Sequence, residues 1–199
     1  MLETLEGFSF LEWLGLLAGI IYIILSAQNK ISCWYFGIIS CACIAYHDFF
    51  GGLNLYSDGV LQIFYIIMGF IGLVRWKEVS LSFKVGIKTH LLAGLAGILF
   101  SLLYGFLMKK YSDASFPLVD AFTTVFSVIA TIFLVNRQLS TWLYFIVIDI
   151  VMTYLYYVRG WELYGLLYLI FTVVAIYASW NWWRLFRLNL NKSEGLNSA

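Results

Sequence analysis

The sequence predicts an all-α membrane protein of seven transmembrane helices. Of 199 residues, 62% are hydrophobic and only 12% are charged, whereas a soluble domain needs roughly a quarter of its residues charged. The apolar residues fall in seven long blocks, most near the roughly 20 residues that cross a bilayer as a helix. The chain also holds a single proline, so few positions interrupt a helical backbone.

The blocks follow in order. The first, 10–27, stops at the polar turn Gln28-Asn29-Lys30. The second, 31–46, precedes Gly51-Gly52-Leu53-Asn54, a second tight break. The third, 55–74, leads into a longer loop of mixed charge over 75–90. The fourth, 91–108, is followed by 109–116 and then Pro117, which suits the first turn of a helix because the N–H it lacks has no partner there. The fifth, 118–135, ends at Asn136-Arg137-Gln138. The sixth, 142–158, is short like the second, and flanking polar residues let both span by snorkelling. The seventh, 163–183, precedes a polar tail.

Charge sets an expected orientation. With the N-terminus outside, the inner side holds Lys30, Arg75, Lys77, Lys84, Lys88, Arg137, Arg184, Arg187 and Lys192, and the outer side only Lys109, Lys110 and Arg159. The excess of Lys and Arg marks the cytoplasmic face, so the sequence implies N-out and C-in across a bacterial inner membrane. Glu3, Glu6 and Glu12 precede or open the first block with no Lys or Arg among them, the opposite of a signal-peptide n-region, so no cleavage is expected.

Several function classes drop away. A net charge of +1 offers no basic face for nucleic acid. Cys41 and Cys43 point about 200° apart on a helix, so with Cys33 they read as small packing residues, and no metal site or cofactor is expected. No phosphate-binding Gly-rich loop, chain of buried proton carriers or Gly/Pro-broken helix pair supplies energy coupling; His47 and His90 lie at or near predicted helix ends. A membrane enzyme needs a nucleophile, paired carboxylates or a metal cluster, and none stands out. A scaffold role leaves unexplained the internal repeat described next. Passive transport across the lipid bilayer needs none of these parts, and assembly into a homo-oligomer stays open.

A shift of about 108 residues lays the first part of the chain over the last. It carries Ser32 onto Ser140, Trp34 onto Trp142, Tyr46 onto Tyr154, Gly52 onto Gly160, Leu55 onto Leu163 and Tyr56 onto Tyr164. One residue of slip then brings Trp76-Lys77 onto Trp183-Arg184. Spans one to three thus match spans five to seven. The fourth span restores the orientation, so the repeats run parallel, a design that places a substrate path between two bundles. The expected divisions are a first bundle over 8–77, a loop and linker helix over 78–112, a second bundle over 113–186 and a cytoplasmic tail over 187–199.

Motifs in both copies resemble one family. The first reads Glu12-x-x-Gly15, Lys30-Ile31-Ser32, Tyr35-Phe36-Gly37, Leu55-Tyr56-Ser57 and Leu61-Gln62-x-Phe64, closing on Gly72 and Trp76. The second reads Phe116-Pro117 with Asp120, then Ser127, Ala130, Trp142 and Gly160, ending in Tyr168-x-x-x-Thr172 and Trp182. In order and spacing these resemble the Pnu-type vitamin transporters, which include a riboside branch (PnuC) and a thiamine branch (PnuT). The resemblance implies a full-length SWEET-like fold of three plus one plus three helices. It also implies facilitated diffusion of an unphosphorylated vitamin that a cytoplasmic kinase traps. Riboside-transporting members carry an Asn near each of Ser40, Gly69, Asp149 and Tyr177, and this chain has none of the four. The sequence therefore points to thiamine as substrate, with nicotinamide riboside or another B vitamin as the alternative.

Polar groups inside the spans give the candidate site. An ionisable residue there is a functional hypothesis by default. Asp149, among Ile148, Ile150 and Val151, either faces a cationic ring such as a thiazolium or is a protonated acid bonded to a neighbouring helix. Gln62, whose amide both donates and accepts, either reads a polar ring edge or bonds another helix. Trp34 and Trp142 either flank a planar ring or anchor their spans. Tyr177 reads as a pocket wall, while Trp180, Trp182 and Trp183 sit where an interfacial aromatic belt is expected, and Trp183 reads as part of it. Ser40, Tyr65 and Asn181 complete the expected substrate-binding set. Asp120 and Glu12, near the outer ends of their spans, read as gating or structural residues.

Overall fold

The computed structural model describes residues 10–50, 56–82, 86–111, 116–160 and 162–197. They form seven helices: α1 (Phe10–Ala27), α2 (Cys33–Phe50), α3 (Tyr56–Glu78), α4 (Ile87–Tyr111), α5 (Pro117–Val135), α6 (Thr141–Val158) and α7 (Glu162–Asn197). All seven contain a stretch long and apolar enough to cross a membrane. Their outward faces are greasy, as on α4, where Leu91, Leu92, Leu95, Ile98 and Leu99 are all exposed. The chain is a multi-pass membrane protein.

Most helices run beyond the blocks that hydropathy marks. Hydropathy registers the hydrocarbon layer, whereas a helix continues until its backbone hydrogen bonds break. The largest difference is α7, whose 36 residues make a rod of about 54 Å against a hydrocarbon thickness of about 30 Å. Residues 187–197, expected as a tail, continue that helix. The turn over 51–54, with Leu55, Lys84, Glu3 and Glu6, lies outside the described residues.

The chain divides into two compact units, Met1–Val79 and Ser80–Ala199. In the first, α2 packs between α1 and α3; in the second, α6 packs between α5 and α7, and α4 packs on α5. The loop ahead of α4 is fastened to the second unit, where Ser82 N–H donates to Arg137 O at 3.2 Å and Leu139 N–H to Ser82 O at 3.1 Å. Several buried hydroxyls find carbonyl partners within the bundle. Ser40 Oγ donates to Gly15 O at 2.8 Å, tying α2 to α1, and Thr141 Oγ1 donates to Ala130 O at 2.7 Å, tying α6 to α5. Thr123, Thr131, Thr153 and Thr172 bond carbonyls one turn back in their own helices.

The repeat is visible in the backbone. The turn between α1 and α2 and the turn between α5 and α6 share one hydrogen-bond pattern. Asn29 N–H donates to Ser26 O at 2.9 Å, and Arg137 N–H to Leu134 O at 2.9 Å. Lys30 N–H to Leu25 O and Gln138 N–H to Phe133 O are both 3.0 Å. Trp34 N–H to Ile31 O is 3.2 Å, and Trp142 N–H to Leu139 O is 3.3 Å. The left-handed residue of each turn is also equivalent, Asn29 at φ 57° and Arg137 at φ 51°. Asn adopts that conformation readily and Arg does not, so the second turn is held by its surroundings rather than by its own residue.

Candidate substrate site

Each unit is fastened at one end by a pair of tryptophans and at the other by an ion pair. At the turn end of the first unit, Trp34 opens α2 with its ring 5.3 Å from that of Trp76 in the last turns of α3, edge to face at 84°. At the turn end of the second, Trp142 and Trp182 meet at 5.5 Å and 84°. All four rings are buried. This corrects the expected pairing of Trp76 with Trp183: the structural counterpart is Trp182, and Trp183 is 43% exposed. Hydropathy does not distinguish adjacent tryptophans, but helical phase turns one inward and the next toward lipid. Gly72 makes the first clasp possible, because a Cβ there would run into the indole of Trp34.

The far ends carry ionic clasps. In the first unit Glu12, near the start of α1, meets His47 Nε2 in the last turn of α2 at 3.2 Å. In the second, Asp120 of α5 accepts from Arg159 Nη2 at 3.2 and 3.1 Å, with Arg159 at the end of α6. Glu12 and Asp120 stand in the same place in the two copies. Both residues expected to gate or support thus hold helix ends together. Their partners His47 and Arg159 were not anticipated, although laying Glu12 over Asp120 at the repeat shift would have drawn attention to the helix ends opposite.

The remaining candidates lie between these ends. Asp149 is 7% exposed in the middle of α6; among the described residues no hydrogen bond or ion pair reaches its carboxylate. A buried, unpaired carboxylate costs several kcal/mol unless a donor or cation arrives. Asn181 is buried in α7, where its Oδ1 accepts from Arg184 Nη2 at 3.3 Å. Tyr177, one turn earlier, is half-exposed beside Trp180, with ring centroids 6.3 Å apart. Trp180 and Trp183 lie under the guanidinium groups of Arg184 and Arg187 at 5.1 and 5.4 Å, the arrangement of an interfacial belt. In the first unit Gln62 and Tyr65 are half-buried on α3, and Ser40 is taken up by Gly15.

Two cavities in the second unit contain none of these polar groups. One, ≈ 270 Å³ between α5 and α6, is lined by Phe122, Phe126, Leu143, Tyr144, Val147 and Ile148. The other, ≈ 360 Å³ between α6 and α7, is lined mainly by Leu139, Leu143, Ile146, Ile176 and Trp180. Both are lined chiefly by apolar side chains. Among the described residues no group of His, Cys, Asp and Glu is arranged to hold a metal ion.

Seven spans with a duplicated turn and a lone carboxylate at mid-span describe a membrane carrier rather than an enzyme. The chain belongs to the nicotinamide mononucleotide transporter family, whose model matches residues 9–184. It is 22% identical over 205 residues to the nicotinamide riboside transporter PnuC of Escherichia coli (strain K12), covering 87% of this chain and 85% of that one. It is 24% identical to PnuC of Neisseria mucosa, covering 89% of this chain and 73% of that one. A crystal structure of the vitamin B3 transporter PnuC superposes with a TM-score of 0.69 at 22% identity, covering 90% and 83% of the two chains, and so shares the fold.

These matches overturn the assignment to the thiamine branch, and with it thiamine as substrate. That assignment rested on a carboxylate awaiting a cation and on four absent amides. The first does not discriminate, because the pyridinium of nicotinamide riboside is also a fixed cation. The second inspected single positions, while Asn181, one helical turn beyond Tyr177, presents a buried amide.

Proposed function

We propose that this protein carries nicotinamide riboside into the bacterial cell by facilitated diffusion through the cytoplasmic membrane, with a kinase inside trapping the product. Asp149 supports this reading: a buried carboxylate without a partner suits a pyridinium ring. The amides of Gln62 and Asn181, with Tyr65 and Tyr177, offer partners for the carboxamide and ribose. Trp34, Trp142 and Ser40 act as the frame that holds these helices in register.

The placement of charge favours the riboside over the mononucleotide. Every described Lys and Arg lies in a turn, within the end turns of a helix, as Arg75, Lys88 and Lys110 do, or on the part of α7 beyond residue 183, as Arg184 and Arg187 do. A phosphate carried to mid-span would meet Asp149 and no compensating cation. Calorimetry on the purified chain is expected to show the riboside binding at least about tenfold more tightly than the mononucleotide, roughly 1.4 kcal/mol. Equal or reversed affinities would discard the riboside reading.

The duplicated turns and doubled clasps support a full-length SWEET-like arrangement, with bundles over 8–77 and 113–186 joined through α4 within 78–112. Positive charge supports N-out, with the turn ends and the tail over 187–199 cytoplasmic. A cysteine placed at the exposed Lys110 is expected to react with an impermeant thiol reagent added to intact cells, and one at the exposed Ser80 to stay protected. The opposite pattern reverses the orientation.

A further inference from the structure

The two ionic clasps share equivalent carboxylates, Glu12 and Asp120, but their cations stand at different positions and differ in chemistry. A guanidinium keeps its charge at every pH a cell meets, whereas an imidazole gains charge only toward acid pH. In the second unit Arg159 is paired with Asp120 at 3.1 Å and lies 5.1 Å over the Phe116 ring and 5.9 Å over that of Tyr156. Nothing in that cluster needs a proton to hold. In the first unit His47 takes the place of the arginine as the cation. The residue equivalent to Tyr156 is Asp48, which is buried and follows His47 directly in the chain. Asp48 Oδ2 is buried and has no hydrogen-bond partner among the described residues.

We propose that the far end of the first unit is a proton-operated clasp, and that its counterpart in the second unit stays closed at all pH values. Among the described residues the charged and titratable groups around His47 are Glu12 from α1, its own neighbour Asp48, and Asp58 from α3. Acid charges His47 and strengthens its pair with Glu12, drawing α1 to α2. Loss of that proton takes the imidazolium away from Glu12. Under the proposed orientation this end faces outside, so the external medium sets the clasp. The inference is independent of which vitamin is carried.

Thermal melting of the purified full-length chain tests it without any substrate. His47→Gln removes a charge that exists only in acid, so its loss in Tm should be about 2–4 °C greater at pH 5.5 than at pH 8.0. Arg159→His makes the second clasp like the first, so its loss should be greater at pH 8.0 than at pH 5.5. His47→Arg should raise Tm at pH 8.0 and leave it nearly unchanged at pH 5.5. Equal losses at the two pH values for His47→Gln overturn the proposal, as does an Arg159→His loss no larger at pH 8.0. Should His47→Arg fail to fold, the other two variants decide the matter.

Discussion

Replacing Asp149 by Asn is expected to lower affinity for nicotinamide riboside ten- to a hundredfold while leaving the protein folded. The substitution keeps shape and hydrogen-bonding capacity and removes only the charge, and a hydrogen bond to a charged group contributes roughly 1.5–3 kcal/mol. The reduced dihydro form of the riboside is the control, since its ring is uncharged and similar in outline. Its binding should change little. A protonated Asp149 bonded to a neighbouring helix predicts otherwise: both ligands would bind the Asn variant as they bind the parent. That outcome, measured by calorimetry on both ligands, would remove Asp149 from the site.

Gly72→Ala is expected to destabilise the protein by about 1–3 kcal/mol, a fall of about 2–10 °C in melting temperature. The added methyl enters the volume of the Trp34 indole, and that ring also packs near Trp76 and Tyr22, with centroids 5.3 and 6.1 Å away. Gly94→Ala on α4 is the matched control, because a methyl there meets nothing within 4 Å. Trp34→Leu should make room for the added methyl, so the double variant should be more stable than the sum of the two single losses implies, by about 0.5–3 kcal/mol. Additive losses would show that Gly72 matters for some reason other than contact with Trp34.

Which features the sequence disclosed depends on the length scale of their signal. The seven spans were legible because a hydrocarbon layer imposes its thickness on composition over some twenty residues at a time. The repeat was legible because its identities, Trp34 with Trp142 above all, fall at fixed spacing. The pairing of side chains was not. Trp182 and Trp183 have the same hydropathy, and only helical phase assigns one to the clasp. Glu12 and Asp120 were visible as charges near helix ends, yet their partners His47 and Arg159 lie 35 and 39 positions away in sequence, a distance over which pattern carries no information about contact. Substrate was misjudged for a chemical reason: Asp149 advertises a cation, and two vitamins supply one.

The shared turn has a meaning for descent. Between residues 26–35 and 134–143 only Ser32 with Ser140 and Trp34 with Trp142 are identical, yet the hydrogen bonds that shape the backbone agree to within a few tenths of an ångström. Such a chain reads as a tandem duplication in which the ancestral scaffold outlived most of its side chains. An ancestor made of one such unit, meeting its own copy, would have offered every ligand two identical ends. Fusion into a single gene released the copies to differ, so that Cys41 now stands where the other copy has Asp149.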